Sequence, residues 1–104
     1  MIKHIENVAE FDELVKEGKV IVNFYADWCG PCRMFGPVLE EVSEEHEDKL
    51  TIVKVNVDNF GELAGRFNVR SVPTSVLYDD GKIVGMKLGF QAKGPLVRWA
   101  LVDN

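Results

Sequence analysis

Cysteine is almost missing from these 104 residues: only Cys29 and Cys32 occur, too few for a framework of disulfides that could staple the fold. No second pair exists to complete a four-ligand zinc site. Histidine is as scarce, with His4 and His46 alone. His46 follows Cys32 on what reads as one helix, about 21 Å away along the axis, and His4 would leave three ligands at best. Zinc therefore fits poorly. Positive charge is also short: the net charge of −5 argues against a phosphate-binding surface, hence against nucleic acid, and against an anionic membrane. No apolar run approaches the roughly 20 residues of a membrane span. Residues 1–7 lack the charged-then-apolar layout of a signal peptide. Low-complexity tracts and internal repeats are missing too. These absences leave an ordinary globular composition, and at this length a single domain, residues 1–104, able to build its own hydrophobic core. The expected location is the compartment of synthesis, the cytoplasm, where a close cysteine pair is more often catalytic or metal-binding than structural.

What is present alternates between two periodicities. Residues 2–5 suit a short strand. Asn7 and Glu10 resemble a capping box, after which Val8, Phe11, Leu14 and Val15 recur at helical spacing, with Gly18 placed to end the helix. Residues 20–26 form a near-continuous apolar run, the look of a central parallel strand buried on both faces, broken only by Asn23. Met34, Phe35, Val38, Leu39 and Val42 then mark one face of a long helix that Pro37 should kink. Glu40, Glu41, Glu44, Glu45, Glu47 and Asp48 read as its solvated side, since no glycine-turn calcium loop accompanies them. A β-branched strand over 51–57 carries two interruptions, Lys54 and Asn56. Leu63 and Phe67 indicate a short helix capped by Asp58 or Asn59. A strand over 75–78, an Asp80-Gly81 turn and a returning strand over 83–88 make a hairpin. Pro95 sits in the tolerated first turn of a last helix, whose buried stripe is Leu96, Trp99 and Ala100. The order predicts an α/β protein: a mixed, mostly parallel sheet of about five strands flanked by about four helices.

Trp28-Cys29-Gly30-Pro31-Cys32 falls where the apolar run ends and the long helix begins. Two cysteines separated by two residues at a helix start can close a disulfide with little backbone movement. The thiolate is the reactive form, and an ordinary cysteine is only a few per cent ionised at neutral pH. A helix N-terminus offers unpaired amides and partial positive charge worth up to about 2 kcal/mol. At about 1.4 kcal/mol per unit, that lowers a thiol pKa by roughly 1.5 and raises the thiolate fraction about tenfold. Cys29, at the exposed end of the helix, is the expected attacking sulfur. Cys32, one turn in and shielded, is the expected resolving one. Gly30 permits close approach of a client backbone, and Pro31 stiffens the turn.

The pentapeptide, with Phe24 and Ala26 before it, Pro37, Val72-Pro73-Thr74, the Asp80-Gly81 turn and Gly89, resembles the thioredoxin family over essentially the whole chain. Thioredoxin itself is a standard example of a lowered helix-tip thiol, so the pKa argument is no independent support for the likeness. The resemblance implies a thioredoxin fold and a protein-disulfide reductase, a thiol-disulfide oxidoreductase of electron transport and cell redox homeostasis. It implies no cofactor beyond a reversible Cys29–Cys32 disulfide. Disulfide-containing client proteins and a thioredoxin reductase are the implied partners, the protein itself being a monomer. It also implies a cis Val72-Pro73 bond and a shallow substrate rim that includes Trp28, Val57, Val72, Pro73 and Gly89, where an extended client could pair like an added strand. Oxidising relatives often carry a histidine between the cysteines. Gly30-Pro31 lacks one, which favours reduction of clients.

One position departs from the pattern. Family members usually have a buried aspartate where this chain has Asn23, near a lysine matched here by Lys54. Asn23 shares a strand face with Ile21 and Tyr25, so burial is expected, and a hydrogen-bonded structural amide is the simplest role for it. An amide cannot take a proton as a carboxylate would. Water, or Lys54 if burial lowers its pKa, is then the available substitute.

Overall fold

In the computed structural model, which describes residues 1–103, nine elements follow in order: β1 (Ile2–His4), α1 (Val8–Leu14), β2 (Lys19–Tyr25), α2 (Gly30–Glu45), β3 (Thr51–Asn56), α3 (Gly61–Arg66), β4 (Thr74–Asp79), β5 (Lys82–Leu88) and α4 (Lys93–Leu101). The strands form one sheet in the order β1-β3-β2-β4-β5. β3 runs parallel to both β1 and β2, whereas β4 is antiparallel to β2 and to β5. The parallel share is thus smaller than the helix–strand alternation suggests, because the loop after α3 returns β4 against β2 instead of beside it in the same sense.

β2 is central, and its alternation divides the core in two. Val20, Val22 and Phe24 pack with Phe11 of α1 and Leu63 of α3. Ile21 points to the other face, against Phe35, Leu39 and Val42 of α2 and Leu96, Trp99 and Ala100 of α4. Both faces are covered by helices, which explains why the strand reads as continuous apolar sequence. The covered stripe of α2 is Cys32, Phe35, Leu39 and Val42. Met34, expected on that stripe, is instead 65% exposed. The helix continues through Pro37.

The local signals mostly resolve as their chemistry requires. Asn7 caps α1, its side chain accepting from the Glu10 N–H at 2.8 Å, while the Glu10 carboxylate accepts from the Glu6 N–H at 2.8 Å. α1 ends earlier than expected, with Val15 as its C-cap. Gly18, at φ +75, turns the chain into β2. There it is tied to the hairpin: its N–H donates to Asp80 Oδ1 and its carbonyl accepts the Asp80 N–H. Asp80 and Gly81 both have positive φ, as a two-residue hairpin turn demands. Phe60, rather than Asp58 or Asn59, occupies the N-cap of α3, without a side-chain cap bond.

β5 lies at the sheet edge and is mostly exposed, yet Gly85 faces the Trp99 indole. A Cβ at Gly85 would fall 3.1 Å from Trp99 Nε1 and 3.2 Å from its Cζ2. Trp99 is 8% exposed and wedged among core residues, so the ring has little room to yield. Gly85→Ala should therefore destabilise the protein by about 1–3 kcal/mol, as overpacking does. The measurement is the urea midpoint, and an unchanged midpoint would mean that the indole can slide aside.

Candidate active site

The cysteine pair sits where central strand β2 gives way to α2. Cys29 is the N-cap of the helix, with extended backbone (φ −90, ψ 114), and its Sγ accepts the Cys32 N–H at 3.2 Å. Gly30 and Pro31 fill the first turn, where a missing proline N–H costs nothing. Cys29 and Cys32 are joined by a disulfide, with their Cα atoms 5.2 Å apart. Each is 5% exposed, so the expected contrast between an open Cys29 and a shielded Cys32 is not found in the bridged form. With Ala26 they form a small apolar cluster, flanked by Tyr25, Val57 and Val72.

The rim residues come from four separate loops and strand ends. Val72-Pro73 is a cis peptide bond, and the Val72 carbonyl lies 3.6 Å from Cys29 Sγ. Gly89, at φ +84, donates its N–H to the Pro73 carbonyl at 2.8 Å, which ties the end of β5 to this loop. Trp28 is 68% exposed, an unusual place for an indole. Its Nε1 donates to Asp58 Oδ2 at 3.0 Å. Asp58 in turn donates its N–H to Asn56 Oδ1, and the Asn56 amide reaches Asp27 Oδ2 at 3.5 Å. A polar strap thus joins the loop carrying Trp28 to the end of β3. Sequence reading gives none of Asp27, Asn56 and Asp58 a place in the site: Asn56 reads as a polar break in a β-branched strand and Asp58 as a candidate cap of α3, while nothing marks Asp27.

A family model for thioredoxin matches residues 2–101. Thioredoxin of Mycoplasmoides gallisepticum is 45% identical over 96 residues, covering 91% of this chain and 95% of its own. Thioredoxin of Bacillus subtilis is 46% identical over 86 residues, 83% of each chain. Among solved structures, a mutant thioredoxin from Halobacterium salinarum NRC-1 superposes with a TM-score of 0.88 at 35% identity, over 95% of this chain and 87% of that one. The chain belongs to the thioredoxin family. It is a thiol-disulfide oxidoreductase, and its redox carrier is the Cys29–Cys32 pair, the device by which this family acts on disulfide substrates without a cofactor. Among the described residues, no helix is long and apolar enough to cross a membrane.

The family fold also shows what surrounds Asn23. It is 1% exposed, in the middle of β2, in register with Lys54 of β3 on one side and Ser75 of β4 on the other. The expected hydrogen-bonded amide is met by no partner at its N–H₂ end: among the described residues, neither Asn23 Nδ2 nor Ser75 Oγ has a hydrogen-bond partner. Packing of the two helix-covered faces fixes the strand register, and that register sets both polar groups side by side. A carboxylate at this place would fare worse, since an ion loses far more hydration than an amide. Asn23→Asp should lower the urea midpoint. An acid whose folded pKa is raised keeps a proton that the unfolded chain releases, so the deficit should widen as pH rises above about 4. Equal midpoints at pH 8 would show that the buried carboxylate had found a compensating cation.

Lys54 is half-buried, with its Nζ 4.3 Å from the Tyr25 ring centroid. Burial lowers its pKa below the ordinary 10.5, and attraction from Glu40 and Asp27 opposes the shift. Over the window between that lowered value and 10.5 the unfolded chain holds the extra proton, so stability rises with pH there. Lys54→Met should accordingly raise the urea midpoint at pH 7, with the advantage over wild type shrinking as pH approaches 10.5. A lower midpoint would mean that the ring and the two carboxylates outweigh the cost of burial.

Proposed function

We propose that the protein reduces disulfides of client proteins, with Cys29 as the attacking thiol and Cys32 as the resolving thiol. The observation that carries the assignment is the capping geometry: the helix-tip N–H of Cys32 points at Cys29 Sγ. Such a donor, with the partial positive charge of the helix end, stabilises negative charge at that sulfur and not at the other. The Cys29 thiolate attacks a client disulfide and forms a mixed disulfide. Cys32 then attacks Cys29 Sγ, the bond to the client breaks, and the client leaves as a dithiol while the Cys29–Cys32 bridge closes.

Trp28, Val57, Val72, Pro73 and Gly89 form the client-binding rim in this reading, and Gly30 keeps the approach open. A Cβ on Gly30 would meet nothing within 4 Å, so no internal packing demands a glycine there. The Val72 backbone, beside the attacking sulfur, suits pairing with an extended segment. Lys54, which lines one cavity with Cys32, and Asn23, in register with Lys54, are the supporting residues of the pair. Gly30-Pro31 offers no side chain that would favour the reduced form, which suits a donor of electrons. The protein works as a monomeric domain, residues 1–104, in the cytoplasm. There a thioredoxin reductase returns it to the dithiol, and its turnover serves cell redox homeostasis.

Trapping tests the assignment. Cys32→Ser should accumulate mixed disulfides through Cys29 and stop turning over an insulin-like substrate, whereas Cys29→Ser should form none. Adducts through Cys32 in the Cys29→Ser variant would reverse the roles. Full turnover by either variant would remove the dithiol mechanism.

A further inference from the structure

The resolving step poses a proton problem. Cys32 must become a thiolate before it attacks, yet it is 5% exposed, and the buried amide of Asn23 is no base. Beside Cys32 lies a cavity of about 240 Å³, lined also by Tyr25, Asp27, Arg33 and Lys54. At roughly 30 Å³ per water it holds several molecules. Its polar lining comes from every element around it: Tyr25 from β2, Asp27 from the following loop, Arg33 from α2 and Lys54 from β3. Glu40 of α2 acts on Lys54 from outside this lining. Arg33 is a cation with no lone pair to give, and Lys54, whose charge Glu40 and Asp27 help to keep against the effect of burial, is turned toward the Tyr25 ring. Asp27 is the one carboxylate of the lining, and the Asn56 amide at 3.5 Å tethers it.

We propose that Asp27 takes the proton of Cys32 across this cavity, through water, as the mixed disulfide is resolved. The inference rests on Cys32 being the resolving thiol. The Cys32 S–H breaks and its proton passes by way of water to the Asp27 carboxylate. The Cys32 sulfur forms a bond to Cys29 Sγ as the Cys29–client bond breaks, and the client sulfur leaves with the electron pair and takes a proton from solvent. Asp27 then returns its proton to bulk water through the open side of the cavity. Arg33 and Lys54 favour the thiolate while it exists, and Asn56 acts as a positioning residue.

The experiment uses the full-length reduced protein and an aromatic disulfide whose released thiolate absorbs, so that resolution is followed by stopped flow as the second phase. With Asp27 as base, the wild-type rate should vary little between about pH 6 and 8. Asp27→Asn should slow resolution at pH 7 by at least about tenfold, and its rate should rise about tenfold per pH unit, since only preformed thiolate then reacts. Asp27→Glu should restore the flat profile. Asp48→Asn, the same charge change in an exposed turn beyond the far end of α2, should leave rate and profile alone. A wild-type rate and flat profile in Asp27→Asn would overturn the proposal. Failure of Cys32→Ser to accumulate the Cys29 adduct would instead overturn the assignment of roles, whatever Asp27 does.

Discussion

One contact organises the active end of this molecule: the N–H of Cys32 directed at the sulfur of Cys29 across the first turn of α2. It exists because a strand covered on both faces stops at Tyr25 and a helix starts at Gly30, which leaves Cys29 to cap it. A helix end must satisfy its first amides somehow, and serine, threonine, asparagine or aspartate usually supplies the oxygen. Here a sulfur takes that place. The stabilisation of the helix end and the activation of the nucleophile are therefore the same interaction. Neither can be altered without the other.

For that contact to be reproducible, strand and helix must be held rigidly, and the two cores do this from opposite sides. Ile21 locks β2 to α2 and α4, while Val22 and Phe24 lock it to α1 and α3. The rim is assembled differently, by polar and backbone ties between loops. Gly89 to Pro73 closes one side, and the strap from Trp28 through Asp58 and Asn56 to Asp27 closes the other. Apolar burial sets the position of the sulfurs, and directional bonds set the shape of the surface around them. In the proposed function, a bound client meets an exposed indole tethered by its hydrogen bond to Asp58, an aromatic face that can serve many sequences.

The parts of this design that were legible in the sequence are those written in local chemistry. The Asn7 cap, the Asp80-Gly81 turn, the buried stripe of α4 and the cysteine pair each carry their cause within a few residues. The cis Val72-Pro73 bond came from family likeness, since proline alone does not declare its isomer. Features that depend on distant partners were misread or missed. Gly18 reads locally as a helix stop, but its turn is fixed by Asp80. Met34 fits the apolar spacing of α2, yet no element packs over it, and periodicity cannot know where a neighbour ends. Asp58 reads as a helix cap by composition, whereas the indole of Trp28 claims its carboxylate. Asp27, an ordinary polar residue between strand and helix, gains meaning only from the cavity it shares with Cys32.

The buried polar positions give the sharpest contrast between fold and chemistry. Asn23 and Ser75 face each other across β2 and β4 with unpaired atoms, a cost the packing could have avoided with two apolar side chains. An amide nonetheless costs less to bury than a carboxylate, and it removes a negative charge that would oppose formation of thiolate nearby. The counterpart is that β2 offers no carboxylate to a proton leaving Cys32. The acid that remains, Asp27, sits exposed at the edge of the cavity, where water can carry the proton to it. Moving the negative charge from the interior to the rim separates two demands, stability of the core and removal of the proton, that a single buried acid would have to meet together.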